Sequence, residues 1–216
     1  MIDTKAFNNL KKVETSSWAV WNEDNDNSLD FFLSKQELFH SRVIFVGLNR
    51  SNAANDFSKA APLSNFHAKG HTGDKRLKRF IQDANLSNLL GGFMTDISEQ
   101  IETNSNEVMV EKQKAVRIFI DKIRLIDDFQ TRHIICFGDK VFNTFINALR
   151  IVKSRITDNS INKVKEVKTE IGNETWHLYR VWHYSNYGTF LRKSEEELPV
   201  QLRYINDKIS SKSDEQ

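Results

Sequence analysis

Two short runs decide most of what this chain can become. Val43-Ile44-Phe45-Val46 and Ile134-Ile135-Cys136-Phe137 are unbroken apolar stretches, each followed directly by a glycine, Gly47 and Gly138. A strand with one wet face alternates apolar and polar residues. An unbroken run of this length instead marks a strand buried on both faces. Gly91-Gly92-Phe93-Met94-Thr95-Asp96 reads as a further short strand. Helical spacing fills the intervals: a helix capped by Ser28 and running to about His40, one over 75–84, one over 107–126, one after Gly138, and a last over 194–209. Residues 164–171 and 175–182 flank Gly172-Asn173 and read as a hairpin. Strands alternating with amphipathic helices predict an α/β layered fold with a largely parallel sheet.

With 216 residues the chain is expected to form one domain, 1–216, with a polar N-terminal extension over about 1–27, anchored by Trp18 and Trp21, and a polar tail over 210–216. Hydrophobic residues at 39% supply a core and exclude a wholly disordered chain. No window approaches the ~18 apolar residues of a membrane span. The start, Met-Ile-Asp-Thr-Lys, lacks the basic and apolar parts of a secretion signal. A lone cysteine, Cys136, rules out an internal disulfide and an all-cysteine metal site. A cytoplasmic protein is expected. The net charge of +2 gives no global argument for nucleic-acid binding, so any such binding must rest on local basic patches.

Parallel sheets bind ligands at the carboxyl ends of their strands. Asn49, Asp96, Gly138 and His183 each follow a strand and converge on one edge if the strands run parallel. The Asn49 amide can donate and accept, and so hold a water at a fixed angle; asparagine also suits a plain turn. An imidazole at His183 can donate to a developing anion, or serve as a structural histidine. The Asp96 carboxylate needs donors or solvent. His67 and His71 are four apart with Gly70 between them and no third ligand nearby, so no metal is expected. Lys75, Arg76, Lys78 and Arg79 form a basic cluster, either a solvated helix face or a phosphate-contacting surface. The long loop over 52–74 is expected to be functional or mobile.

In order and approximate spacing over about residues 42–205, these segments resemble the uracil-DNA glycosylase superfamily, most closely its mismatch-specific uracil/thymine branch. Val43 to Ser51 resembles that branch's first motif, a strand followed by Gly-hydrophobic-Asn-Pro-Gly. Gly92 to Asp96 is similar to the next strand, and Ile134 to Lys140 to the strand–Gly–Lys element. His183-Tyr184-Ser185-Asn186-Tyr187 resembles the His-Pro-Ser motif and its wedge residue. The resemblance implies a three-layer α/β sandwich with a central, mostly parallel sheet flanked by helices. It implies a monofunctional glycosylase that flips a base from DNA and hydrolyses its N-glycosidic bond, with no cofactor and no metal. In that scheme Asn49 positions the attacking water and His183 stabilises negative charge on the leaving base. Asp96 reads the base edge, Phe66 stacks on the base, Ser185 contacts a phosphate and Tyr187 enters the helix. Arg50, Lys75, Arg76, Lys78, Arg79 and Lys140, with Arg192 and Lys193, are the expected DNA-contacting cations. The partner is DNA, with no membrane association and a monomeric protein.

This chain departs from the pattern at three informative places. Arg50 and Tyr184 stand where the two motifs carry proline, and Asp96 stands where an amide or backbone group reads uracil. An ionised carboxylate cannot donate to uracil O4, but it accepts from an exocyclic amine, as acidic side chains do with cytosine N4. Asp96 therefore points to a modified cytosine. One such substrate is a hypermodified base of phage DNA, for example glucosylated 5-hydroxymethylcytosine, which would make the protein an antiphage defence factor. Three alternatives remain: a uracil/thymine-mismatch repair glycosylase, a noncatalytic nucleic-acid-binding member of the superfamily, and a hydrolase of free nucleosides.

Overall fold

The computed structural model describes residues 7, 8, 10, 15–22, 28–50, 63, 65–67, 71–100, 102, 104–126, 129–186 and 188–213. Its strands are β1 (Ser17–Trp18), β2 (His40–Gly47), β3 (Gly92–Asp96), β4 (Thr131–Phe137), β5 (Thr157–Asn159), β6 (Val164–Ile171) and β7 (Glu174–Val181). Its helices are α1 (Leu29–Leu33), α2 (Thr72–Lys78), α3 (Lys112–Arg124), α4 (Asp139–Ala148) and α5 (Leu198–Ser213). The strands form one seven-stranded sheet in the order β1-β3-β2-β4-β7-β6-β5. The fold is α/β. The central strands β3, β2, β4 and β7 run parallel, as the apolar runs predicted. The sheet as a whole is mixed, because β1 pairs antiparallel with β3, and β6 and β5 are antiparallel additions beyond β7.

The unbroken apolar runs are explained by where alternate residues go. Val43 and Phe45 of β2, Ile135 and Phe137 of β4, and Tyr179 and Val181 of β7 pack with Leu77 of α2 and with Leu198, Leu202 and Ile205 of α5. Their neighbours Ile44, Val46, Ile134, Cys136, Trp176 and Leu178 pack with Val116, Phe119 and Ile123 of α3 and Val141, Phe142 and Phe145 of α4. Both parities of the Val43–Val46 and Ile134–Phe137 runs leave water, and both are apolar there. Gly138 takes φ 90° between β4 and α4, a conformation in which glycine escapes the Cβ clash.

Several expectations need correction. Ser28 Oγ accepts from Phe31 N at 3.2 Å, as a cap should, but α1 stops at Leu33 and does not reach His40. Ser34 ends it by turning its hydroxyl back onto Phe31 O at 2.7 Å, and β2 already begins at His40. The third expected helix begins at Lys112 instead of 107. Part of the supposed N-terminal extension is core: Phe7, Leu10, Trp18 and Trp21 are buried, and β1 lies in the sheet. The burial of two indoles outweighs the polar character of the surrounding sequence. Of the loop over 52–74, only 63, 65–67 and 71–74 are described, and in the tail 214–216 lie outside the described residues. Among the described residues no helix is long and apolar enough to cross a membrane.

Candidate active site

Because β2, β3, β4 and β7 are parallel, Asn49, Asp96, Gly138 and His183 lie at one edge of the sheet. The β2 and β7 strands are separated by β4 alone, which sets the Asn49 and His183 loops about 10 Å apart at the strand level. The loops after β2 and β3 are tied together: Ile97 N donates to Gly47 O at 3.0 Å, Ser98 N to Leu48 O at 2.9 Å and Glu102 N to Arg50 O at 3.1 Å. Asn49 Nδ2 donates to Arg50 O at 2.9 Å and to Glu102 O at 2.6 Å. Both acceptors are carbonyls, which fixes the amide's orientation and leaves Oδ1 as the atom it can offer a ligand.

His183 leaves β7 into a loop braced from two sides. Ser194 Oγ donates to His183 O at 2.5 Å, and Gln201 Oε1 accepts from Trp182 N at 2.8 Å. On the other side Arg76 Nη1 donates to Tyr184 O at 3.3 Å and to Asn186 O at 3.1 Å, while its Nε meets Glu195 Oε1 at 2.5 Å. The backbone N–H of Ser185 donates to His183 Nδ1 at 3.2 Å, with Ser185 Oγ 2.8 Å from the same atom. A backbone N–H can only donate, so Nδ1 is an acceptor and the ring proton sits on Nε2. Burial, with help from the nearby His71 and against the attraction of Asp74, lowers the His183 pKa to about 4. The imidazole is neutral at physiological pH and presents an Nε2 donor.

Tyr184 stacks on His183 with ring centroids 4.7 Å apart and planes 18° from parallel. It also meets Phe137 at 5.0 Å and Phe66 at 5.9 Å. Phe66 is buried with φ 66°, an uncommon conformation for an aromatic residue. Its ring joins the core against Tyr184, so no open face awaits a base.

Asp96 is buried at the end of β3, in register with Gly47. Its Oδ2 accepts from Asn65 Nδ2 at 2.9 Å. Burial raises its pKa to about 6, opposed by the Asn65 hydrogen bond and by the charges of Lys122 and Arg50, with Asp74 adding to the rise. Lys122, from α3, is itself buried and donates to Thr15 Oγ1 at 2.9 Å and Thr95 Oγ1 at 3.0 Å.

The expected cations fall into different classes. Arg76 is buried and clamps the His183 loop, and its charge is matched by Glu195. Arg79 is exposed but also pairs with Glu195. Lys78 Nζ donates to Asn22 O at 2.9 Å, and Lys140 Nζ to Ser105 O at 2.6 Å. Arg50 is buried beside Asp96. Arg192 pairs with Glu196 and Lys193 with Glu197. Lys75 is exposed on α2. Tyr187 lies outside the described residues.

His67 and His71 go to separate places. His67 is a core residue with Nε2 3.0 Å from Trp18 O, and burial lowers its pKa to about 4. Among the described residues no cluster of three His, Cys, Asp or Glu side chains could hold a metal ion. A groove of about 750 Å³ runs along α5, lined by Tyr204, Lys208 and neighbouring side chains, and none of the residues above lines it. The sequence pattern gave no sign of Asn65 and Lys122, whose partners are distant in the chain, or of Asp74, whose partner His71 is three residues away. No family model matches this chain, and no curated protein matches it.

Proposed function

We propose that this protein is a monofunctional DNA glycosylase acting on a modified cytosine. The motif resemblance supplies the reaction class. The observation that carries the reading is the neutral His183, whose Nδ1 is held by Ser185 N–H, on the same sheet edge as Asn49 and Asp96. A three-layer arrangement accords with the two sets of core contacts, α3 and α4 with one parity of strand residues and α2 and α5 with the other.

In this reading the flipped nucleotide lies between the loops after β2 and β7. The bond between C1′ and the base nitrogen breaks, leaving positive charge on the sugar and negative charge on the base. His183 Nε2–H donates to a base oxygen as that charge develops; a donor already in place costs no reorganisation. Asn49 Oδ1 accepts a hydrogen bond from the water whose oxygen bonds to C1′, and the water's proton leaves to solvent. Asn49 orients this water and takes no proton from it. Above about pH 6 the Asp96 carboxylate is an acceptor only, which suits a cytosine N4 amine.

The test is base release from DNA carrying uracil, a thymine mismatch, 5-hydroxymethylcytosine or its glucosylated form, read as strand cleavage in hot alkali. Release of modified cytosine, lost in Asn49→Ala and His183→Ala with DNA binding retained, supports the reading. Release of uracil alone overturns the cytosine assignment. DNA binding without any abasic site favours the noncatalytic alternative, to which Arg50 in place of the motif proline lends support. Cleavage of free nucleosides with little salt-sensitive DNA affinity would instead indicate a nucleoside hydrolase.

A further inference from the structure

His71 and Asp74 lie against the His183 loop without a part in the chemistry above. His71 Nδ1 is 3.0 Å from Asp74 Oδ1; the His71 side chain is 43% exposed and that of Asp74 is 8% exposed. The Asp74 backbone N–H also points at Nδ1, at 3.4 Å, where the neutral ring can accept it as the cap of α2. The shorter contact to the carboxylate is a hydrogen bond when Nδ1 carries the proton and donates, as it does in the protonated ring. Gly73 brings this pair to the loop. A Cβ on Gly73 would lie 2.6 Å from Ser185 Cβ, 3.0 Å from Ser185 Cα and 3.0 Å from His71 Cε1. The His71 ring and Ser185 thus close on the same point from two sides, and the absence of a side chain at 73 permits it.

We propose that His71, braced by Asp74, forms with Ser185 a seat for a nucleic-acid phosphodiester beside the reacting nucleotide, and that the seat holds the phosphate when His71 is protonated. This rests on the glycosylase reading. Ser185 supports both roles: its backbone N–H and its hydroxyl both reach His183 Nδ1, at 3.2 and 2.8 Å, and in the proposed seat the backbone N–H keeps the ring in place while the hydroxyl is drawn from Nδ1 to the phosphate. The groups facing His71 are Asp74, Arg76, Ser185 and His183. The Asp74 hydrogen bond raises the His71 pKa from 6.5, against its desolvation, with the Asp74 charge raising it further and Arg76 lowering it. His183 stays neutral beside it, lowered by burial first and by His71 second. Arg76 is committed to Glu195 and to the loop carbonyls, so it does not compete for the phosphate. Affinity is therefore highest below the His71 pKa and is lost as pH rises through it.

Fluorescence anisotropy with labelled single- and double-stranded oligonucleotides, at constant ionic strength from about pH 6 to 9, tests this. Asp96 also titrates near 6, so the readout is the difference between wild type and His71→Gln. His71→Gln is expected to bind about tenfold more weakly at the acid end and to converge with wild type at the alkaline end, one charge-assisted hydrogen bond being at stake. His71→Lys, permanently charged across this range, keeps tight binding at the alkaline end. Wild-type affinity and pH slope in His71→Gln, in a protein that binds DNA and releases base, overturn the seat alone. Wild-type protein that neither binds DNA nor releases base overturns the seat together with the glycosylase reading.

Discussion

Asp96 Oδ1 fills the space that a side chain on Gly47 would need: a Cβ there would overlap that oxygen and lie 3.2 Å from the Phe66 ring. The two residues are register partners at the ends of β2 and β3, so the carboxyl folds over its neighbour's bare Cα. Gly47→Ala must therefore push Asp96 or Phe66 aside. Overpacking of this kind costs about 1–3 kcal/mol. The expected outcome is a folded but less stable protein whose base release falls more than its DNA binding does. Thermal melts and the alkali assay measure both; unaltered base release would show that the Asp96 position does not matter.

Asp96→Asn separates the carboxyl's charge from its shape. Burial holds the carboxyl near 6, so the folded protein keeps a proton that the unfolded chain, with an ordinary value of 3.8, has lost. Stability from this group is complete below the unfolded value and declines as pH rises through about 6. The asparagine variant escapes that decline and is expected to gain of order 1–3 kcal/mol over wild type near neutral pH. An amide can also donate to uracil O4, so the ratio of uracil to cytosine release should rise. A variant that gains stability without a shift in this ratio places Asp96 off the base.

The parts that were legible in the sequence are those governed by local pattern. Val43 to Val46 and Ile134 to Phe137 are apolar without interruption because both faces are covered, and their parallel pairing then fixes the shared edge for Asn49, Asp96 and His183. What stayed hidden depends on contacts across long stretches of chain. Nothing near Asn65 announces that its amide will hold Asp96. Trp18 opens a short apolar run, Trp18-Ala19-Val20-Trp21, in an otherwise polar segment, and its pairing beside Phe93 makes Ser17–Trp18 a strand. Arg76 belongs to a cationic run with helical spacing, which reads as surface until Glu195 and the Tyr184 carbonyl arrive from far along the chain.

Lys122 should set where Asp96 titrates. Its ammonium is buried and hydrogen-bonded to Thr15 and Thr95, and its charge favours ionised Asp96. Burial lowers the Lys122 pKa, against the pull of Asp96 and Glu99. Lys122→Met removes the cation, so the Asp96 carboxyl should hold its proton to still higher pH. The acid limb of base release is expected to move about one unit upward. It also leaves two threonine hydroxyls without their partner, at a cost of about 1–3 kcal/mol. An acid limb at the wild-type position would show that the lysine does not act through Asp96.

Adjacent cations on α2 should give opposite results. Lys75 is exposed, whereas Arg76 is buried and spends its donors on Glu195, Tyr184 O and Asn186 O. A lysine that neutralises a phosphate contributes to the salt dependence of DNA binding, and removing it lowers the slope by roughly one unit. Lys75→Gln is expected to flatten the slope by about that amount while leaving base release from bound DNA intact. Arg76→Met is expected to leave the slope alone and to slow base release by about tenfold or more, since a small displacement of a positioned catalytic group is costly. Both quantities come from one set of titrations and single-turnover assays. A slope that changes with Arg76 and not with Lys75 would mean that the guanidinium leaves its internal partners to meet DNA, and the clamp on the His183 loop would then have to be abandoned.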